Sequence, residues 1–503
     1  MTPLPPKNVI VVLLDSLNRH LVGAYGSDEF ETPNLDRLAA RSVRFTRHHT
    51  GSLPCMPARH DILVGALDFL WRPWGSIEIW EDAITYSLRK AGVTSMLVSD
   101  HPHLFEAGGE NYHTDFTAWQ YSRGHEGDPW KTRPDPSWVG APALPAKPAR
   151  YPMPYDESRT WFREEEDFPG PHTMASAATW LREAAGHHDR FFLFVDEFDP
   201  HEPFDTPERW ATKYDDDWGG ERIIWPPYVV GAIEKGVLTE REARHIRANY
   251  GAKLSMIDHH LGRVLDAVDE LGLWDDTAFV LCTDHGHYLG ERDAFGKPPM
   301  PIHREMGHIP LLVSWPGVEP GECDALTTSV DIHATIADVF DVTPDHRTHG
   351  RSLAPLVTGE VDGVRDHLLT GIWGQGVHVV DAETKYGRAP VTDNAPLVMW
   401  SNRWSTMPVH AFPTLKLPRP DRRATLDFFG DVPVIRQPFA PGDPVPFWGA
   451  RPPTESVLYD LDGDPMETAN LAGSTREKEA IDLLRAALEE ADAPKEQYER
   501  LGI

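Results

Sequence analysis

Residues 278–291 read AFVLCTDHGHYLGE, an apolar run that gives way to aspartate and histidine. The short apolar run Ala278–Cys282 predicts a buried β-strand. Asp284 and His285 would then follow its carboxyl end, where open α/β sheets collect their ligand-binding and reactive groups. This stretch therefore predicts a sheet that is covered on both faces and a polar site at one of its edges.

Comparable apolar runs occur elsewhere in the chain, with helical patterns between them. The runs are Asn8–Leu14, Thr94–Ser99, Phe191–Val195 and Ile309–Ser314. The clearest helical pattern repeats apolar residues with a period of 3.6 over residues 254–271 and ends at a glycine. Strands that alternate with helices predict an α/β fold with a large, mostly parallel sheet flanked by helices. Asp15 comes directly after the run Asn8–Leu14, and Asp196 comes directly after Phe191–Val195. Both positions are similar to that of Asp284 after Ala278–Cys282.

The alternation of strands and helices fades after about residue 365. We therefore expect a catalytic α/β domain over residues 1–365 and a smaller C-terminal domain over residues 366–503, with a helix from Lys478 to Ala491. Three stretches rich in proline, tryptophan and charge are expected to be irregular. They are residues 121–170 and 212–230, interpreted as insertions in the first domain, and residues 398–450. Irregular segments of this length are usually lids or binding loops.

Composition excludes several classes of partner. The chain has 503 residues, and 48 Lys+Arg against 78 Asp+Glu give a net charge of −30. Nucleic acid and anionic membranes are therefore not expected as partners. The N-terminal apolar run is too short for a signal-peptide core or a membrane span. Three widely separated cysteines do not suggest a disulfide framework, so we expect a cytoplasmic protein.

One of those cysteines has an unusual setting, in the run Cys55-Met56-Pro57-Ala58-Arg59. Proline is tolerated in a first helical turn, so Cys55 is expected at the N-terminus of a helix. The helix dipole and free amides there favour negative charge on the side chain or on a bound ligand. The alternative is an ordinary buried cysteine before a helix.

The pattern Cys55-x-Pro57-x-Arg59 resembles the signature of the sulfatases, in which a formylglycine-generating enzyme oxidises the cysteine to formylglycine (3-oxoalanine). Residues 283–291 and 309–317 resemble the family's pattern around its metal, and residues 458–471 are also sulfatase-like. The resemblance covers most of residues 8–360. It implies an alkaline-phosphatase-like fold, in which the smaller α+β domain has a short antiparallel sheet and a helix.

The resemblance also implies one divalent metal ion held by Asp15, Cys55, Asp284 and His285. Asp15 is followed by Ser16, where sulfatases with a full calcium site usually have a second aspartate. The single aspartate with the Asp-His pair is similar to the choline-sulfatase and phosphonate monoester hydrolase branches of the superfamily. Calcium prefers oxygen ligands and a histidine favours manganese, so both Ca²⁺ and Mn²⁺ are expected candidates.

Further catalytic candidates come from the same resemblance. Arg59 would fix the modified Cys55, Lys297 falls where the family keeps a sulfate-binding lysine, and His201 aligns with its active-site histidine. Where sulfatases usually show Lys-x-His this chain has His101 and His103, so one expected lysine is missing. For His101, a solvated loop histidine is an equally good interpretation.

These parts predict a sulfuric ester hydrolase acting on a small-molecule anionic ester. Hydrated formylglycine carries two hydroxyls: one attacks sulfur, and the other lets the aldehyde reform and expel sulfate, which a thiol or serine cannot do. A phosphonate monoester or phosphodiester hydrolase on the same scaffold is the first alternative. The second is an unmodified, non-catalytic binding protein.

Overall fold

The computed structural model describes residues 3–78, 80–137, 154–402, 422–426, 432–446, 449 and 451–503. The strands are β1 Asn8–Leu14, β2 Val43–His49, β3 Thr94–Ser99, β4 Ala118–Tyr121, β5 Phe191–Glu197, β6 Val229–Val230, β7 Thr277–Cys282, β8 Tyr288–Leu289, β9 Ala294–Gly296, β10 Leu311–Ser314, β11 Gly321–Thr328, β12 Leu368–Gly371, β13 Val377–Val380, β14 Thr384–Arg388, β15 Leu397–Ser401, β16 Arg422–Leu426, β17 Val432–Phe439 and β18 Val457–Asp460. The α-helices are α1 Pro33–Ala39, α2 Cys55–Val64, α3 Ile84–Lys90, α4 Tyr155–Arg159, α5 Pro169–Ala184, α6 Glu208–Ala211, α7 Glu240–Glu270, α8 Arg304–Gly307, α9 Val330–Phe340, α10 Ala354–Val357, α11 Glu477–Glu490 and α12 Lys495–Leu501.

The largest sheet has the strand order β11-β2-β10-β7-β1-β5-β3-β4. Its neighbours pair in parallel except for β10, which runs antiparallel to both β2 and β7. The predicted α/β fold with a large, mostly parallel sheet is therefore confirmed.

Strand β1 shows why this sheet is buried on both faces. Successive side chains of a strand point to opposite faces. Val9, Val11 and Leu13 join an apolar cluster that contains residues of α2 and α9, whereas Ile10 and Val12 join another cluster that contains much of α7. A continuous β-branched and leucine-rich run is what such a two-sided position requires.

Several elements differ in extent from the sequence prediction. The bounds of β1 and β3 are as expected, but β5 continues to Glu197 and therefore includes Asp196. The long helix α7 begins at Glu240, well before residue 254. Its start is fixed by a capping box, in which Thr239 and Glu242 bond to each other's backbone amides. None of the helices in the described ranges is long and apolar enough to span a membrane.

Small antiparallel sheets follow the large one. The first antiparallel strand of the C-terminal part, β12, begins at Leu368, close to the predicted boundary at residue 365. One sheet has the order β12-β13-β14-β18, and another has the order β15-β17-β16. Leu484 and Leu488 of α11 belong to the same apolar cluster as Val9 of β1, so one core extends across that boundary.

The expectation of irregular structure over residues 398–450 is wrong where β15, β16 and β17 form their sheet. Prolines at positions 433 and 438 hide the period-2 pattern of β17. Residues 403–421, 427–431, 447–448 and 450 of that stretch lie outside the described residues. In the 121–170 stretch the same holds for residues 138–153, and the rest includes α4 and the start of α5. The 212–230 stretch has no regular structure before β6.

Candidate active site

The carboxyl ends of three neighbouring strands supply the acidic residues of the site. Strand β1 lies between β5 and β7 and runs parallel to both. Asp15 follows β1, Asp284 and His285 follow β7, and Asp196 is near the end of β5. All four side chains are fully buried. The parallel register thus brings together residues that are far apart in the sequence.

Cys55 is the first residue of α2, as the sequence predicts, and its side chain is 2% exposed. The turn before the helix is held by Asp61 from within the helix. Its carboxylate accepts hydrogen bonds from the backbone amide of Ser52 at 2.6 Å and from the hydroxyl of Ser52 at 2.7 Å. The start of α2, and with it the Cys55 side chain, is therefore fixed by contacts within the segment.

Asp15, Cys55, Asp284 and His285 form a cluster whose potential ligand atoms lie within 4.8 Å of one another. Cys55 Sγ is 3.3 Å from His285 Nε2. Nδ1 of His285 lies 2.8 Å from the carbonyl oxygen of Gly286, which can only accept, so the ring proton is on Nδ1. The lone pair on Nε2 is thereby directed at the cluster, which is the arrangement of a metal-ligating histidine.

Arg59 lies among the three aspartates, and its guanidinium is fully buried. Its Nε and Nη2 bond to Asp196 at 2.8 and 2.6 Å, Nη1 donates to Asp284 at 3.0 Å, and Nη2 is 3.0 Å from Asp15. Nη1 also donates to the carbonyl oxygen of Cys55 at 3.2 Å. Arg59 therefore links the start of α2 to the ends of β1, β5 and β7.

The charges of the cluster suit a cation. Burial, together with repulsion from Asp284, raises the pKa of Asp15 well above its usual value. Apart from its ion pair with Arg59, the Oδ2 atom of Asp15 has no hydrogen-bond partner in the described part of the chain. Burial also lowers the pKa of His285 to about 4, which leaves a neutral imidazole. Two carboxylates, a neutral imidazole and the side chain of residue 55 form a mixed oxygen and nitrogen set that fits a divalent metal ion.

Lys297 and His201 lie on another side of Cys55. Lys297 follows β9, and its Nζ is 3.6 Å from Cys55 Sγ and 2.7 Å from His201 Nε2. His201 Nδ1 lies 2.7 Å from the carbonyl oxygen of Glu202, so Nδ1 carries the ring proton and Nε2 accepts from the lysine. Burial lowers the pKa of His201 to about 3. The pair thus holds one transferable proton beside residue 55.

His101 and His103 occupy different positions relative to the site. His101 is fully buried, so the alternative of a solvated loop histidine is wrong. Neither of its ring nitrogens has a hydrogen-bond partner among the described residues, and Nε2 is 4.0 Å from Asp15 Oδ2. His103 forms ion pairs with Glu106 and, at 3.2 Å, with Glu126. Its ring packs edge-on against that of His101, with centroids 5.2 Å apart.

Sequence reasoning missed some of the charged residues around these groups. Asp196 stood out only as a strand-end aspartate, and its two-point pairing with Arg59 had no sequence signal. Glu202 accepts from Tyr228 and lies 3.2 Å from His287 Nε2. Its position directly after His201 is a hint in the sequence, because carboxylates are common hydrogen-bond partners of site histidines.

With this geometry established, comparison with known proteins identifies the family. The model of the sulfatase family matches residues 7–342, about two thirds of the chain. The chain belongs to the sulfatase family. The predicted resemblance is therefore confirmed, and so is the predicted activity of a sulfuric ester hydrolase.

The similar proteins include relatives with different names and a solved structure. The sulfatase is 28% identical over 376 residues to choline-sulfatase of Rhizobium meliloti (strain 1021), covering 70% of this chain and 72% of the relative. It is 27% identical to the multifunctional alkaline phosphatase superfamily protein PehA of Trinickia caryophylli, covering 70% and 77%. The structure of phosphonate monoester hydrolase of Agrobacterium radiobacter superimposes with a TM-score of 0.66 at 19% identity, covering 96% and 95% of the two chains, and shows the shared fold.

Proposed function

We propose that this sulfatase hydrolyses a small-molecule sulfate monoester through a formylglycine made from Cys55. The observation that carries the proposal is the surroundings of Cys55 Sγ, which has His285 Nε2 at 3.3 Å and Lys297 Nζ at 3.6 Å. A buried structural cysteine would be expected in apolar surroundings. Here it lies at a helix N-terminus among ionisable groups, where the free amides favour a bound anion.

The proposed reaction begins with the hydrated aldehyde of residue 55, which carries two hydroxyls. A divalent cation bound by Asp15, Asp284, His285 and residue 55 would favour the deprotonated hydroxyl by stabilising its negative charge. The hydroxyl oxygen attacks sulfur, the bond between sulfur and the ester oxygen breaks, and that oxygen leaves with a proton. Lys297 is placed to neutralise the charge on the remaining sulfate oxygens, because its Nζ faces residue 55.

The departing oxygen would receive its proton from the pair formed by Lys297 and His201, whose nitrogens are 2.7 Å apart. The product of this step is a sulfate ester on residue 55. The second hydroxyl then gives its proton back to the Lys297–His201 pair, its oxygen forms the aldehyde double bond, and the bond from carbon to the sulfate oxygen breaks. Sulfate leaves, and the aldehyde is ready to hydrate again.

The proposed substrate is a small organic sulfate ester. Choline-sulfatase is among the relatives, and the single-aspartate site supports a small sulfate ester of this kind. The second candidate, a phosphonate monoester or phosphodiester, is supported by the likeness to the Agrobacterium hydrolase and by the same single aspartate. For the metal we propose Ca²⁺ or Mn²⁺. Maturation by a formylglycine-generating enzyme and a cytoplasmic location are also proposals, based on the Cys55 motif and on cysteine usage.

Assays of the purified, matured protein on an aryl sulfate and on an aryl phosphonate with the same leaving group test the proposal. We expect faster turnover of the sulfate and loss of both activities in Cys55→Ala. Cys282→Ala is a matched control, because Cys282 is equally buried but is not part of the ligand cluster. Turnover of the phosphonate alone would favour the second candidate. Full activity in Cys55→Ala would exclude both reactions at this residue.

A further inference from the structure

Lys253 is a buried cation that lies outside every motif described above. It belongs to the long helix α7, and its side chain is 4% exposed. Its Nζ is 2.7 Å from Asp199 Oδ1 and donates to the carbonyl oxygen of Pro203 at 2.8 Å. Asp199 and Pro203 flank His201, so one ammonium group holds both sides of the loop that carries this histidine.

Asp199 has further contacts that fix this arrangement. His125 Nε2 lies 2.7 Å from the same Asp199 oxygen that contacts Lys253. Burial alone would raise the pKa of Asp199, but Lys253 and His125 hold it below its usual value, so the carboxylate is charged. A Cβ atom on Gly170, at the start of α5, would overlap Asp199 Oδ2, so the carboxylate packs closely against the helix at a position where glycine leaves space for it.

The contacts of Phe198 extend this arrangement to the imidazole of His201. The Phe198 ring is fully buried and stacks on the His201 ring with centroids 4.2 Å apart and an interplanar angle of 20°. His125 packs edge-on against Phe198 at 4.7 Å. Asp199 therefore receives its cation from α7 and its histidine from the 121–170 stretch, and that histidine packs against the ring that supports His201.

We propose that Lys253 is a positioning residue for His201: by tying Asp199 to Pro203 it holds the imidazole where it can serve the departing oxygen of the ester. This inference rests on the proposed function, in which His201 and Lys297 supply the leaving-group proton. Without the ammonium, a buried carboxylate and a buried carbonyl would both lack their partner, and the loop would have to rearrange. A shift of the loop would move His201 Nε2 away from Lys297 and from the substrate.

A comparison of leaving groups distinguishes positioning from a general structural role. Para-nitrophenol leaves as a stable anion and needs little help from a proton donor, whereas phenol needs more. We expect Lys253→Met to lower kcat for phenyl sulfate by about 100-fold and kcat for para-nitrophenyl sulfate by only a few-fold, because small misplacement of a catalytic group costs about that factor. Lys90→Met is the control, since Lys90 is exposed and pairs with Asp345 at the surface.

His201→Asn is measured in parallel and separates the two levels of the proposal. If His201→Asn lowers kcat equally for both esters, the leaving-group role in the proposed function is wrong. If His201→Asn shows the selective loss and Lys253→Met does not, the positioning role of Lys253 is wrong. If Lys253→Met does not fold, Asp199→Asn and Lys253→Arg are measured instead. Asp199→Asn must then show the selective loss of kcat for phenyl sulfate, and Lys253→Arg must keep kcat for phenyl sulfate near the wild-type value. Equal losses for both esters in Asp199→Asn would overturn the inference.

Discussion

Replacement of Arg59 by methionine tests whether the buried guanidinium is the electrostatic centre of the site. Asp15, Asp196 and Asp284 lie within 3.0 Å of it, and all four side chains are fully buried. Methionine has a similar length but leaves these carboxylates without their shared cation. Removal of one partner from a buried ion pair costs about 3–5 kcal/mol, and we expect Arg59→Met to lower the free energy of unfolding by at least that amount. This is a large part of the roughly 5–15 kcal/mol that stabilises a folded domain.

The measurement is urea unfolding followed by tryptophan fluorescence, with a chelator present so that no divalent ion replaces the lost charge. Wild type and variant are both produced without the maturation enzyme, so that residue 55 is cysteine in each and the difference comes from Arg59 alone. Arg37→Met is the matched control. Arg37 pairs with Asp266 at 2.8 Å on the surface and should contribute only about 0.2–1 kcal/mol. A loss in Arg59→Met no larger than in Arg37→Met would refute the reasoning.

Three further predictions follow from the same geometry. Chelation of a matured, metal-loaded preparation should lower the free energy of unfolding. The decrease should be about 2.7 kcal/mol if the concentration of the free ion was 100 times its dissociation constant. Re-addition of the ion should restore the free energy of unfolding, whereas Asp15→Asn should show a smaller response to chelation. Burial lowers the pKa of His103, but Glu106 and Glu126 outweigh this effect and raise the pKa to about 10 from 6.5. The ion pairs of protonated His103 therefore stabilise the folded protein fully below pH 6.5, and this stabilisation is lost as the pH rises through about 10. Unfolding measured from pH 6 to 11 should show this loss in wild type and not in His103→Gln. Gly286→Ala should disrupt the His285 segment, because its Cβ would overlap the carbonyl oxygen of Glu305, while Gly186→Ala, with open space around it, should leave stability and activity near wild type.

Much of the fold is predictable because its central strands carry unbroken apolar runs. Strands β1 and β3 have the bounds that their sequences predict, since both faces of the large sheet are covered. Strand β2 was missed because it reads VRFTRHH, a mixed pattern that has no clear period. In the structure β2 lies between β10 and β11, so tertiary pairing decides its conformation.

The active site also combines residues that the sequence predicts with residues that it does not. The ligand cluster could be predicted because its residues follow strands or fall within a short motif, and both features are local in sequence. The partners that fix these residues could not be predicted, because they are distant in the sequence. Asp196 and Arg59 are 137 residues apart, and Lys253 and Pro203 are 50 residues apart. Such contacts depend on how helices pack on the sheet. A sequence pattern with one period per element does not specify this packing.

The proposed mechanism requires formylglycine at position 55 of the active protein. Its presence is measured by mass spectrometry of the proteolytic peptide that contains position 55, from protein co-expressed with a formylglycine-generating enzyme. We expect this peptide to have the mass of 3-oxoalanine or its hydrate at position 55, and the modified fraction to rise in step with specific activity. An intact Cys55 thiol in fully active protein would contradict it.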